Sequence, residues 1–206
     1  MKIGIFGGSF DPIHYGHLIL AEQCRDQANL DQVWFVPTSV SPFKSDGSKA
    51  NAKHRVEMLQ LAIAGHDQFH VSTLEIDRGG KSYTVETLEE IQRGDAHHEL
   101  FLFVGMDAFQ SFRDWRNPQR ILELATPMVF RRSGTTLDFQ VLKQLCDENR
   151  ALEIEAFQID LPLIEISSTH IRESVHHGRS IRYMVPRAVE LYIFTHRLYA
   201  NTPAPS

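Results

Sequence analysis

A chain of 206 residues, 42% of them hydrophobic, is long enough to bury a full core in one domain. Its formal charge of −5 excludes a protein that coats nucleic acid, which needs a cationic excess to neutralise phosphates. Met1 leads straight into a strand pattern with no signal-like segment, and no apolar run reaches the roughly 18 residues of a membrane span, so a soluble cytoplasmic protein with no membrane partner is expected.

Short apolar runs alternate with amphipathic stretches, the pattern of βα units around a parallel sheet. "KIGIF" reads as the first strand. "GHLILAEQCRDQA" follows as a helix carrying Leu18, Ala21, Cys24 and Ala28 at near-helical spacing, and "QVWFVP" as the next strand. "TSVSPFKSDGSKAN" reads as a long loop of the kind that carries function, and "HRVEMLQLAIA" as a helix. "FHVSTLEI" is predicted as a strand, "TVETLEEIQRG" as a helix stopped by Gly94, and "ELFLFVG" as a buried strand. A strand near "MVFRR", a helix through "LDFQVLKQLCDEN", and helices at "SSTHIRESVHHG" and "VPRAVELYIFTHRL" complete the alternation, with Pro186 near the first turn of the last. The expected architecture is α/β, a Rossmann-like doubly wound and mainly parallel sheet with helices on both faces and ligands at the carboxyl ends of its strands. It occupies residues 1–199 as one domain, with 200–206 as a disordered tail. Cys24 and Cys146 fit no CxxC pattern and are expected to be reduced.

Gly7 and Gly8 end the first strand where such sheets bind nucleotides; lacking a Cβ, they let main-chain N–H groups approach an anion. The pattern is neither a Walker loop nor G-x-G-x-x-G. His17 then falls at the start of the first helix, where the peptide dipoles favour anions and disfavour imidazolium. A hydrogen-bond donor to phosphate explains a histidine there. Local packing of His14 with capping by His17 is the alternative, and a metal site lacks a third ligand. "ISSTHIRES" repeats the signal near the other end. Ser167, Ser168 and Thr169 supply N-cap oxygens, and Arg172 sits in the first turn, where a cation needs either a carboxylate such as Glu173 or a bound polyanion. Two such sites on one sheet suit a triphosphate spanning them. The pairs His97-His98 and His176-His177 read as solvated histidines, and His66-Asp67 lacks the companions of a metal-phosphohydrolase site.

"GGSFDPIHYGH" with "ISSTHIR" resembles the HxGH nucleotidyltransferase superfamily, and more fully the bacterial nicotinate-nucleotide adenylyltransferases. The similarity runs from Ile3 to Tyr199 and includes "SPFK", "KSYTVETL", "VGMD", "DWRNP" and "IRYMVPRAVELYI" in order. It implies transfer of AMP from ATP to nicotinate mononucleotide, giving nicotinate adenine dinucleotide and pyrophosphate in NAD biosynthesis. The reaction is normally Mg-dependent, with the ion carried by the nucleotide phosphates and no metal site on the protein. The resemblance assigns His14 and His17 to the ATP phosphates as the catalytic pair, beside Gly7 and Gly8. It assigns Ser167, Ser168, Thr169 and Arg172 to the β- and γ-phosphates, and Gly105 and Asp107 to the adenosine. Lys44 and, as a weaker candidate, Arg132 are further phosphate contacts. For the acceptor it implies Ser9, Phe10, Lys44, Tyr83, Thr84 and Thr87, with Trp115 stacking on the pyridine ring. From the residues alone, Trp115 reads as a core anchor and Thr84 as a helix cap.

Three departures from the family pattern stand out: Ser9 replaces the usual threonine, Phe43 replaces a common histidine, and Ser133 replaces a proline before glycine. The competing readings are an adenylyltransferase for phosphopantetheine or nicotinamide mononucleotide, a cytidylyltransferase, and a noncatalytic nucleotide sensor. The intact HYGH and Arg172 argue against the sensor, and the Tyr83 and Trp115 segments against phosphopantetheine. The sequence is compatible with a homo-oligomer, and no heptad pattern or apolar stripe selects one.

Overall fold

Six strands pair side by side, each parallel to its neighbours: β1 (Lys2–Gly8), β2 (Gln32–Pro37), β3 (Phe69–Val71), β4 (Glu99–Gly105), β5 (Ala125–Arg132) and β6 (Gln158–Leu161). The sheet order is β3-β2-β1-β4-β5-β6. The computed structural model describes residues 1–40, 47–132, 139–161 and 164–201. Between the strands run α1 (Tyr15–Gln27), α2 (Ala52–Ile63), α3 (Leu74–Arg78), α4 (Thr84–Gly94), α5 (Met106–Gln110), α6 (Pro118–Leu124), α7 (Glu148–Ala156), α8 (Ser168–His176) and α9 (Arg187–Thr195).

A strand covered on both faces must be apolar at every position, and β4 shows why "ELFLFVG" has no alternation. Phe101 and Phe103 face one core, with Ala21 and Cys24 of α1, Met58 and Leu59 of α2, Ile171 of α8 and Ile193 of α9. Leu100, Leu102 and Val104 face the other, with Leu88 and Ile91 of α4, Ile121 of α6 and Ile154 of α7. The expected doubly wound architecture is therefore present. Strand order reverses direction between β1 and β4, the kind of switch point beyond whose carboxyl ends open parallel sheets bind ligands.

The local differences have local causes. "FHVSTLEI" holds a strand only to Val71, because Thr73 then starts α3: its hydroxyl donates to Asp77 Oδ2 at 2.6 Å, and Glu75 and Asp77 suit the positive end of that helix. "LDFQVLKQLCDEN" is a 3-10 turn at Phe139–Gln144, and the α-helix begins only at Glu148, where the Asp147 carboxylate caps the N–H of Arg150 at 2.9 Å. α4 is capped by Tyr83, not Thr84, and makes no side-chain cap bond. The expected tail at residue 200 is preceded by an anchored Tyr199, and residues 202–206 lie outside the described ones. Both cysteines are free, and burial pushes the Cys24 thiol up to about 12. Among the described residues no helix is long and apolar enough to cross a membrane.

Candidate active site

His14 occupies the extended N-cap position of α1, and His17 the third position of its first turn. The main-chain N–H of His14 donates to Nδ1 of His17 at 3.3 Å. This is a capping box in which the usual glutamate is replaced by an imidazole. An Nδ1 that accepts cannot hold a proton, so the neutral His17 ring carries its hydrogen on Nε2. The His14 ring folds back over the His17 amide in the other half of the box, a contact looser than a full hydrogen bond.

The two rings stack with centroids 3.7 Å apart and planes 29° apart. Burial lowers the His14 pKa to about 4, so the ring is neutral near pH 7. Phe6 and Phe10 flank His17 at 5.8 and 5.2 Å and fix its tilt. Gly16 makes the arrangement possible, since a Cβ there would come within 3.0 Å of His14 Nδ1. The first turn of α1 contains no acidic residue. An anion there would meet no like charge, although the Tyr15 and His17 N–H groups already bond to the Met184 and His14 carbonyls, each at 3.0 Å, so the imidazoles are the side-chain donors this turn offers.

The loop before it divides the two glycines by role. A Cβ on exposed Gly7 would meet nothing, leaving room for a ligand at the end of β1. On Gly8 it would strike the Phe10 ring at 2.9 Å, so this glycine serves packing. Phe10 has φ 45° and is only 1% exposed, edge-on to Phe6 and His17. The Phe10 side chain is thus part of the core, which leaves its main chain as the part that could meet an acceptor.

Beneath the loop lies a network that the sequence reading did not single out. Arg55, 1% exposed, donates to the carbonyls of Ser9 at 2.8 Å and Thr38 at 2.7 Å, which follow the ends of β1 and β2. Burial pulls its pKa down, while the nearby Asp11 charge opposes that. The Asp11 carboxylate accepts from the N–H groups of Lys49 and Ala50 and from the Tyr199 hydroxyl. Nothing local marks it in the sequence, since Arg55 stands in the polar run Lys53-His54-Arg55-Val56-Glu57.

α8 docks on the same loop. Ser167 alone acts as the cap, accepting from the His170 N–H at 3.2 Å. Ser168 Oγ donates to the Pro12 carbonyl at 2.8 Å. Arg172 donates to the Asp11 carbonyl at 2.8 Å and to the Thr169 hydroxyl at 3.2 Å. Neither bond goes to Glu173, and the carboxylate partner considered from the sequence is replaced by neutral oxygens.

Two other clusters border the end of β1. Gly105 ends β4, next to β1 in the sheet, and caps the short α5, in whose first turn Asp107 is exposed. On the other side, Thr38 N–H donates to the Gly8 carbonyl, Ser39 N–H to Ser82 Oγ, and Ser82 N–H to the Val40 carbonyl, all between 2.9 and 3.1 Å. That chain of bonds brings Tyr83 and Thr84 toward the loop. The Arg116 guanidinium lies 4.5 Å over the Tyr83 ring and pairs with Glu86 at 2.9 Å, which joins this segment to Trp115. Trp115 packs on Phe112 at 5.1 Å and stays half-buried.

Thr87 is different. It is 2% exposed, and its hydroxyl donates to Glu75 at 2.7 Å and accepts from Arg78 at 3.0 Å. The expectation of Thr87 as an acceptor contact is corrected to a structural role, because its hydroxyl is enclosed by the protein. Lys44, Phe43 and Ser133 lie outside the described residues, as does the side chain of Arg132. His66 stacks on Phe69 at 3.7 Å and pairs with Glu22 at 3.0 Å, a structural setting. A cavity of about 580 Å³ lined by Glu99, Thr126 and Arg150 opens at the amino ends of β4 and β5, the end of the sheet away from this chemistry.

The family profile described as cytidylyltransferase-like matches residues 5–174. A Thermus thermophilus protein described as a probable nicotinate-nucleotide adenylyltransferase is 42% identical, covering 97% of this chain and all of that one. A Salinibacter ruber protein of the same description is 38% identical over 98% of this chain and all of its own length. The chain belongs to the nicotinate-nucleotide adenylyltransferase family. A Plasmodium falciparum nicotinic acid mononucleotide adenylyltransferase, solved in complex with NaAD, superposes with a TM-score of 0.74 at 18% identity, covering 96% of this chain and 97% of that one. A Vibrio parahaemolyticus structure described as a nicotinate-nucleotide adenylyltransferase gives 0.68 at 21% identity, over 98% and 96% of the two chains. At those identities the likeness speaks for the fold. Within the family frame, the α8 start is bonded to the loop that leads into the HYGH box through the Asp11 and Pro12 carbonyls.

Proposed function

We propose that this chain transfers AMP from ATP to nicotinate mononucleotide in the cytoplasm, releasing pyrophosphate and forming nicotinate adenine dinucleotide, a step in making NAD. The observation that carries the reading is the docking of Ser168 and Arg172 on the carbonyls of the loop that leads into His14 and His17. It ties the start of α8 to the loop leading into α1, which supports one triphosphate reaching both.

The acceptor's phosphate oxygen is already an anion at neutral pH, so no side chain has to remove a proton. That oxygen bonds to the α-phosphorus in line with the bond to the β-phosphate oxygen, which breaks with its electron pair and leaves as pyrophosphate. His17 donates a hydrogen bond from its Nε2–H to an α-phosphate oxygen as charge accumulates there, and keeps the proton. His14, neutral, orients it and donates beside it. The main chain at Gly7 and Gly8 lines the same phosphate. Ser167, Ser168, Thr169 and Arg172 hold the β- and γ-phosphates and stabilise the leaving group.

Gly105 and Asp107 receive the adenosine. Ser9, the Phe10 main chain, Tyr83, Thr84 and Trp115 receive the nicotinate nucleotide, with the indole against the pyridine ring. Lys44 and Arg132 are proposed as further phosphate contacts. ATP enters as its magnesium complex, since the site's N–H, imidazole and guanidinium donors suit phosphate oxygens and leave the cation to the phosphates. The test is the product made from ATP with nicotinate mononucleotide, read beside phosphopantetheine and nicotinamide mononucleotide as acceptors.

A further inference from the structure

The contacts under the phosphate loop lead to a residue near the end of the chain. Asp11 is 3% exposed, and its carboxylate is held by three donors: the N–H of Lys49 at 2.6 Å, the N–H of Ala50 at 3.1 Å and the hydroxyl of Tyr199 at 2.6 Å. Among the donors to that carboxylate in the described residues, Tyr199 is the side chain. The carbonyl of the same Asp11 accepts from Arg172 Nη1. One residue thus joins the C-terminal segment, through its carboxylate, to the guanidinium at the start of α8, through its main chain.

We propose that Tyr199 is a positioning residue for the ATP triphosphate: its hydroxyl sets Asp11, and the Asp11 carbonyl sets the Arg172 guanidinium. The inference rests on the reading that Arg172 holds the triphosphate.

Three further observations support it. The segment after α9 is fixed where Tyr199 needs it, with Leu198 N–H bonded to the Ile193 carbonyl at 3.0 Å and both Leu198 and Tyr199 packed on the first core. Burial, followed by the Asp11 charge, raises the Tyr199 pKa, and the phenol remains a donor at every working pH. Arg55, the other cation near Asp11, directs its two terminal nitrogens to the Ser9 and Thr38 carbonyls, so it does not replace Tyr199 at the carboxylate. A hydrogen bond from a neutral hydroxyl to a buried carboxylate is strong enough for its loss to move the attached main chain. A displacement of about 1 Å at a positioning group is felt in binding and rate.

The experiment is a double-mutant cycle on the full chain, measuring the dissociation constant of ATP by calorimetry and the KM for nicotinate mononucleotide. Tyr199→Phe removes the hydroxyl and keeps the ring. It is expected to weaken ATP about tenfold while the acceptor KM stays within about twofold. Arg172→Ala weakens ATP by itself, and adding Tyr199→Phe to it changes ATP affinity by less than about twofold, because the residue through which the hydroxyl acts is gone.

Should Tyr199→Phe fail to fold, Asp11→Asn takes its place in the same cycle. The proposal is overturned if ATP affinity is unchanged, if both substrates weaken equally, or if the full effect persists without Arg172. An Arg172→Ala variant that binds ATP normally would overturn the triphosphate reading as well. Weakening by Arg172→Ala without weakening by Tyr199→Phe would overturn the role of Tyr199 alone.

Discussion

The His14 main-chain N–H donates to His17 Nδ1, and this single bond both caps α1 and decides which nitrogen of His17 carries the proton. Glutamate at the same position would close the helix equally well but would put a negative charge where an anion is meant to bind. The imidazole caps with one nitrogen and offers a donor with the other.

Removing that donor should be costly to the reaction and mild for the fold. His17→Ala is expected to lower turnover by about 10²-fold, the scale of losing one transition-state donor, and to cost about 0.5–2 kcal/mol of stability through the lost cap. Steady-state turnover on folded protein checks it. Unchanged turnover would place the stabilising donor elsewhere.

His14 makes stability depend on pH. Its folded pKa is about 4 against 6.5 for the free ring, so between those values the unfolded chain binds a proton that the folded chain refuses. Stability contributed by this group is complete above about pH 6.5, falls as pH is lowered, and levels off below about 4, for a total of about 3 kcal/mol. Denaturant unfolding of the parent and of His14→Gln at several pH values reads the difference. Parallel pH curves for the two would contradict it.

Thr87 distinguishes a structural threonine from a ligand contact. Thr87→Val leaves Glu75 Oε1 without its donor at a site where Glu75 is 5% exposed, and should destabilise the protein by about 1–3 kcal/mol. Thr87→Ser restores the hydroxyl and should recover both stability and the acceptor KM. A Thr87→Val protein of normal stability with a raised KM for nicotinate mononucleotide would return the residue to the binding site.

The sheet was legible because doubly covered strands such as "ELFLFVG" are apolar throughout, and long amphipathic helices such as α4 show a period. α3, α5 and α6 have five to seven residues, too few for a period to emerge, and were not read. At the site, the histidines and Arg172 were legible because each is electrostatically out of place at a helix start. The Asp11, Arg55 and Tyr199 network was not, since its members lie far apart in sequence and none is unusual in its own segment. Thr87 misled for the opposite reason: a motif gives its neighbourhood, while the direction of its side chain is set by a distant carboxylate.

The measurement that tests the account most directly is pyrophosphate release by the purified protein with ATP and Mg, run in parallel on nicotinate mononucleotide, nicotinamide mononucleotide and phosphopantetheine, with the dinucleotide product identified by mass. The account predicts release with nicotinate mononucleotide and formation of nicotinate adenine dinucleotide. No release with that acceptor, together with release on phosphopantetheine, would contradict it.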